Sequence, residues 1–223
     1  MKDRITKYDF AGMIAGAAAL IRKQHAMLSQ LDCASGDGDH GATMLRVVER
    51  LETCFAAGRP DDLKTCLREA GWSVMGVDGG ASSSLLGTFF GGMGDGPAGG
   101  EWIGTGDLAA IFEAGLAAVG KQTKAQPGDK TVMDALVPAV AALRAAADGG
   151  KSITKALHDA ASAARAGAEA TRNFTARYGR AKFLGEKTRG HQDPGATSIS
   201  LLFEGFHNGL EESKGEAGNA RCR

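Results

Sequence analysis

The chain has 223 residues, 43% of them hydrophobic, enough for one good-sized domain with a substantial core. Lys+Arg and Asp+Glu both number 26, so the formal net charge is zero and no overall basic excess points to nucleic acid or a membrane surface. The opening MKDRITKYDFAGM lacks the apolar run of a signal peptide, and no stretch approaches the roughly 20 apolar residues that span a bilayer.

Apolar residues recur at helical spacing along almost the whole chain. Phe10, Ile14, Ala17, Ile21, Leu28 and Leu31 form one stripe, predicting a first helix from Tyr8 to Leu31 with Asp9 as its N-cap. A second is predicted from Ala42 to Ala56, with Met44, Val47, Val48 and Leu51 inward. A third runs from Asp61 or Asp62 to Met75, and a fourth, opened by a serine cluster, from Ala81 to Gly91. After the glycine-rich stretch 91–106, a fifth runs from Asp107 to Gly120. The sixth, Thr131 to Ala147, carries Pro138, which removes a backbone bond and is expected to kink it. The seventh covers Ser152 to Thr175 and the eighth Gly195 to Leu210.

No segment alternates like a strand, and alanine is abundant, which suits close helix packing. The expected fold is therefore all-α: one domain over 1–223, an eight-helix antiparallel up-and-down bundle or barrel. Alternate loops of such a bundle share an end. The loops after the first, third, fifth and seventh helices include the three unusual linkers, 32–41, 76–83 and 176–195, together with GKQTKAQPGDKT. One end is thus expected to be the working end. The four cysteines (Cys33, Cys54, Cys66, Cys222) show no CxxC spacing, so free thiols in a reducing cytoplasm are expected.

Three letter patterns mislead. GDGDHG, residues 36–41, fits GxGxxG, yet a helix precedes it instead of a strand, and its aspartates repel a bare pyrophosphate. AAADGGKS, 145–152, fits a loose Walker motif but reads as a helix end stopped by Gly149 and Gly150. An EF-hand starting at Asp37 places Gly41 at its fifth position and Val48 at its twelfth, where a bidentate glutamate is required. No local Ser/His/Asp or Cys/His arrangement appears. His25, His158 and His207 lie on predicted helices, whereas His40 and His191 sit in polar loops beside aspartates.

LDCASGDGDHGATM, 31–44, concentrates Asp32, Asp37 and Asp39 on one turn with no lysine or arginine among them. A solvated turn with a helix cap accounts for one aspartate. Three that can converge need cations, and hard oxygen donors favour Mg2+, which keeps open positions for water or phosphate oxygens. The helix that follows directs free N–H groups and its positive end at the same place, so metal-bridged polyphosphate is the expected ligand. Divalent charge, not protein cations, is expected to offset the repulsion. MGVDGGASSSLLG, 75–87, offers glycines for close backbone approach and serines at a helix start, a phosphate cradle. GRAKFLGEKTRGHQDPG, 179–195, carries Arg180, Lys182, Lys187, Arg189 and conditionally His191, with glycines that permit it to act as a lid.

Taken in order, GDGDHG with the upstream Asp32, GGAS with LLGTFF, PGDKT followed by MDAL, and GRA…LGE…GHQDPGA resemble the nucleotide-binding L domain of dihydroxyacetone kinases over nearly the whole chain. The resemblance implies an eight-helix antiparallel barrel binding ADP or ATP at one end through two Mg2+ ions. It assigns Asp32, Asp37 and Asp39 to the metal, and His40, Gly41, Ala42 and Thr43 to the phosphates. Ala81 and Ser82 would meet them from the other side, Thr131 and Val132 would lie near the adenine, and Arg180, Asp193, Pro194 and Gly195 would close over the nucleotide. It implies no catalytic base in this chain. The sugar would be held by a separate K subunit, and the phosphoryl donor would be ATP or a phosphohistidine protein of the phosphotransferase system. A regulatory nucleotide-binding module that docks on a transcription factor is the alternative. This chain departs from the family pattern at Ser83–Leu86 and at Lys182, Phe183, Lys187, Thr188 and Arg189, which leaves open a four-carbon ketose such as erythrulose.

Overall fold

A computed structural model of the chain describes residues 3–34, 36–56, 62–98 and 100–219. Within them lie eight α-helices: α1 (Lys7–Cys33), α2 (His40–Cys54), α3 (Leu63–Met75), α4 (Gly80–Met93), α5 (Thr105–Gln122), α6 (Met133–Asp148), α7 (Ile153–Ala170) and α8 (Pro194–Asn219). Each packs against its chain neighbours, and α8 returns to α1, so the helices close into a ring. The barrel interior is filled, not hollow. Phe112 on α5 meets Phe89 on α4 and Phe203 and Phe206 on α8 with ring centroids 5.5–5.9 Å apart, joining opposite walls. Among the described residues no helix is long and apolar enough to cross a membrane. Cys33, Cys54 and Cys66 form no disulfide among the described residues; Cys222 and Asp61, an alternative start for the third helix, lie outside the described residues.

Several boundaries differ from the sequence expectation for local reasons. Asp9 is not the N-cap of α1. Thr6 is, and Asp9 completes a capping box: the Asp9 N–H donates to Thr6 Oγ1 at 3.4 Å, and the Thr6 N–H to Asp9 Oδ2 at 2.9 Å. The seventh helix ends at Ala170 and passes into a 3₁₀ turn, Thr171–Asn173, not on to Thr175. The expected absence of strands is also corrected: β1 (Arg4–Ile5) pairs antiparallel with β2 (Ile103–Gly104), placing Ile5 opposite Ile103, both buried. Two-residue strands are too short to show alternation. The helix α6 continues across Pro138. Pro138 cannot donate to the Asp134 carbonyl, and a side chain at Gly167 of α7 would come within 2.0 Å of that oxygen. Glycine there lets α7 lie against the freed carbonyl.

Candidate nucleotide and metal site

Because neighbours alternate in direction, α2, α4, α6 and α8 all begin at one end. There, a cavity of about 540 Å³ is lined by residues from all four starts: Asp39 and His40, Gly79–Ser82 with Ser84, Thr131–Met133, and Asp193–Gly195. The N-cap residues of α2, α4 and α6 make no side-chain cap bond. Their positive ends and free N–H groups therefore bear on one space, which favours an anion. The volume falls in the range of small-molecule pockets, roughly 300–1,000 Å³.

Asp32, at the end of α1, and Asp37 and Asp39, on the following turn, each offer a carboxylate oxygen within 4.8 Å of the others. The turn is built for this. Gly38 takes φ +80, a conformation that suits glycine, and its N–H donates to Asp32 Oδ2 at 2.9 Å; the His40 N–H reaches the same oxygen at 3.4 Å. Asp39 occupies the N-cap position of α2, yet its carboxylate makes no cap bond. The cap that would explain an ordinary aspartate is missing, and the carboxylate stays available to a cation. The oxygen-only donor set suits a hard divalent ion such as Mg2+.

One protein cation does reach the cluster. Arg180 Nη1, 143 residues along the chain, pairs with Asp37 Oδ2. The expectation that no protein cation meets the aspartates is corrected by this tertiary contact.

Opposite the acidic turn, Gly79 has no room for a side chain, since a Cβ would lie 2.2 Å from Thr43 Cγ2. Arg46 donates to Thr43 Oγ1 at 3.1 Å and to the Asp78 carbonyl at 2.7 Å, fastening the 78–80 turn to α2. Ala81 and Ser82 line the cavity, as do Thr131, Val132, Arg180, Asp193, Pro194 and Gly195. Gly41, Ala42 and Thr43 do not. Gly41 and Thr43 are buried, Gly41 against the His25 carbonyl of α1, and the Thr43 N–H is spent on the Asp39 carbonyl at 2.9 Å. His40 is buried with Nε2 3.2 Å from Ser198 Oγ, joining α2 to α8; burial pushes its pKa down despite Asp32 nearby. Sequence reasoning missed Lys130, Leu85, Met133 and Tyr178, which also line the cavity. Leu85, Val132 and Met133 supply an apolar wall.

Asp193 caps α8 through Oδ2, which accepts the Ala196 N–H at 2.7 Å. Burial raises its pKa to about 7, with Asp134 and Asp32 adding to the rise and Lys130 opposing it. A folded pKa above the unfolded value means that folding takes up a proton. The contribution is complete below the unfolded pKa, near 3.8, and is lost as pH rises through about 7. In chain stripped of nucleotide and divalent ions, wild type should lose about 2 kcal/mol relative to Asp193→Asn between pH 5 and 7. Urea unfolding of both proteins across that range checks it; parallel profiles would contradict the assignment.

The DAK2 domain matches residues 34–208. The chain belongs to the DAK2 domain family. One similar DAK2 protein is a PEP-dependent dihydroxyacetone kinase 1 ADP-binding subunit DhaL of Listeria innocua, 37% identical over 82% of this chain and 86% of the relative. Another is an L-erythrulose 1-kinase of Mycolicibacterium smegmatis, 38% identical over 80% of this chain but 31% of the relative. The fold is similar to the crystal structure of the dihydroxyacetone kinase from C. freundii in complex with AMP-PNP and Mg2+, with TM-score 0.67 and 27% identity. That match covers 89% of this chain and 33% of the other, so this DAK2 chain corresponds to about a third of the larger kinase.

Proposed function

We propose that this chain is the nucleotide-binding subunit of a dihydroxyacetone or related short-ketose kinase, passing a phosphoryl group to a sugar held by a separate K subunit. The observation that carries the reading is the convergence of three carboxylates and four helix N-termini on one cavity. The relatives named as kinase subunits support it.

On this reading Asp32, Asp37 and Asp39 would hold Mg2+, two ions by the family resemblance, for the binding of ADP or ATP. When bound, the ions neutralise the charge on the phosphate oxygens during transfer. The chain's own residues bind, orient and enclose. The first turn of α4 at Ala81 and Ser82 donates N–H groups to phosphate, and the wall of Leu85, Val132 and Met133 receives the base. Arg180, already at the mouth on Asp37, is placed to exchange that carboxylate for a phosphate oxygen. Segment 176–195 excludes water, so that the phosphoryl group goes to the sugar and not to hydrolysis. None of these residues is assigned as a general base.

Two donors are compatible with this site: ATP taken up each turn, or a phosphohistidine protein of the phosphotransferase system recharging resident ADP. The similarity to PEP-dependent subunits favours the second. Native mass spectrometry of the purified chain should then find ADP and Mg2+ retained, whereas an empty chain that binds ATP reversibly points to the first. Mixing the chain with a K subunit and either donor should phosphorylate dihydroxyacetone or erythrulose. Failure with both sugars and both donors would remove the kinase reading and leave a regulatory nucleotide-binding module.

A further inference from the structure

Lys130 is a residue that the chemistry above does not use, and its placement is unusual in three respects. It is the one non-glycine with positive φ among the described residues, at 61°. It is 3% exposed, which is rare for a lysine. Its Nζ donates to two backbone carbonyls far apart in sequence, Thr171 at 2.6 Å and His191. Those carbonyls stand at the two feet of the segment that overhangs the cavity.

The feet are also joined directly, with Arg172 Nη2 donating to Gln192 Oε1 at 3.2 Å. The Gly190 N–H donates to the Arg172 carbonyl at 2.8 Å, and the Asp193 N–H to Thr171 Oγ1 at 2.9 Å. Neighbouring Asp129 adds a grip on the rising arm: its carbonyl accepts the Arg177 N–H and its carboxylate meets Arg177 Nη1, both at 3.1 Å. Above the feet, the arms are also tied to each other, as through the Ala176 N–H on Thr188 Oγ1 at 3.0 Å. At the tip Phe183 is 82% exposed. From that tip Arg180 descends to Asp37. A buried charge and a left-handed backbone are both costly, and such costs persist where the surroundings demand the geometry.

We infer that Lys130 is a positioning residue for phosphoryl transfer: its ammonium clamps both feet of segment 172–191 and so sets where Arg180 enters the cavity. The inference rests on the nucleotide site proposed above, because the segment is read as its lid. Lys130 acts through the two carbonyls and needs no contact with the reacting atoms. The segment is thereby clamped at its feet, and Gly179 and Gly190, both at positive φ, are points at which it can bend.

The test removes the ammonium while keeping the turn. Lys130→Gly relieves the left-handed strain and deletes the clamp; Lys130→Met keeps the stem without the charge and serves if the glycine variant folds poorly. The first readout is limited trypsin digestion of the full chain without nucleotide, since Arg177, Arg180, Lys182, Lys187 and Arg189 all lie in the segment. Either variant should be cut there about 10-fold faster than wild type, with cleavage elsewhere and helicity unchanged. The second readout is ADP release in Mg2+, expected to be about 10-fold faster. Adding n-butylammonium to Lys130→Gly should slow ADP release, and n-butanol should not. Segment cleavage at the wild-type rate would overturn the clamp. Faster cleavage with unaltered ADP release would overturn the positioning role. If wild type binds no ADP, the site reading fails, and the digestion still decides the clamp.

Discussion

Asp37→Asn should abolish nucleotide retention while leaving the helices intact. The substitution keeps the size and hydrogen-bonding shape of the side chain and removes one of three charges that share a 4.8 Å neighbourhood. A hard divalent ion depends on anionic oxygen donors, and an amide oxygen is a far weaker one. Nucleotide affinity in Mg2+ should fall at least about 100-fold, near 2.7 kcal/mol. Asp37 is the cleanest of the three to change. Asp32 also holds the turn through the Gly38 and His40 N–H groups, so its loss disturbs the backbone as well as the ion. Asp37 is exposed and has Arg180 as its side-chain partner in the structure. An exposed pair of that kind contributes little to stability, so the fold should not notice. Native mass spectrometry reads retention and far-ultraviolet circular dichroism reads the helices. Retention equal to wild type would refute the ligand assignment.

The largest loss of stability is expected at a position far from any ligand. Gly205 of α8 crosses α1 so closely that a Cβ would lie 2.2 Å from Ala17 Cα and 2.5 Å from Ala17 N. Gly16 faces the same crossing, where a Cβ would lie 2.3 Å from the Gly205 carbonyl. Helix propensity alone predicts that Gly205→Ala stabilises by about 1 kcal/mol. The packing argument has the opposite sign. The obstructing atoms are backbone, so the helices must separate or shift, which costs about 2–4 kcal/mol net. For a chain of this size the melting temperature should drop by roughly 10 °C. Calorimetry decides between the two signs, and a variant as stable as wild type would show that the helices can part freely. The site should feel the shift, because the last turn of α1 carries Asp32 and its neighbour α8 begins beside Asp193.

The barrel was legible because every helix carries an apolar stripe and most connections are short. Those two features fix a ring of antiparallel neighbours, and the ring puts alternate loops at one end. The acidic turn was legible for a related reason: three carboxylates within eight residues need no tertiary information to meet. Contacts made by folding were hidden. Arg180 reads as one more lysine-rich-loop cation until the chain brings it 143 positions back to Asp37. Lys130 sits inside the PGDKT motif, and nothing local reveals its burial or the carbonyls that hold it. The same limit applies to Gly41, Ala42 and Thr43. The sequence shows that they open a helix at the acidic turn, not that two of them turn inward while the cavity is lined by Asp39 and His40. Asp9 was misjudged as a cap although Thr6 and Asp9 stand at the spacing of a capping box, a signal present in the sequence. The segment 179–195 was read as a cation-rich lid, but its two 3₁₀ turns, broken at Gly185 with φ 56, carry no periodic apolar signal in the sequence.

The claim beneath all of this is that Asp32, Asp37 and Asp39 grip divalent metal and the metal grips polyphosphate. A crystal grown with ADP and Mn2+, whose anomalous scattering marks the ion directly, tests it in one experiment. The account predicts manganese peaks touching carboxylate oxygens of all three aspartates and phosphate oxygens of ADP, with Arg180 withdrawn from Asp37. Bound ADP with no metal peak among those carboxylates, or with the peaks elsewhere in the barrel, would contradict it.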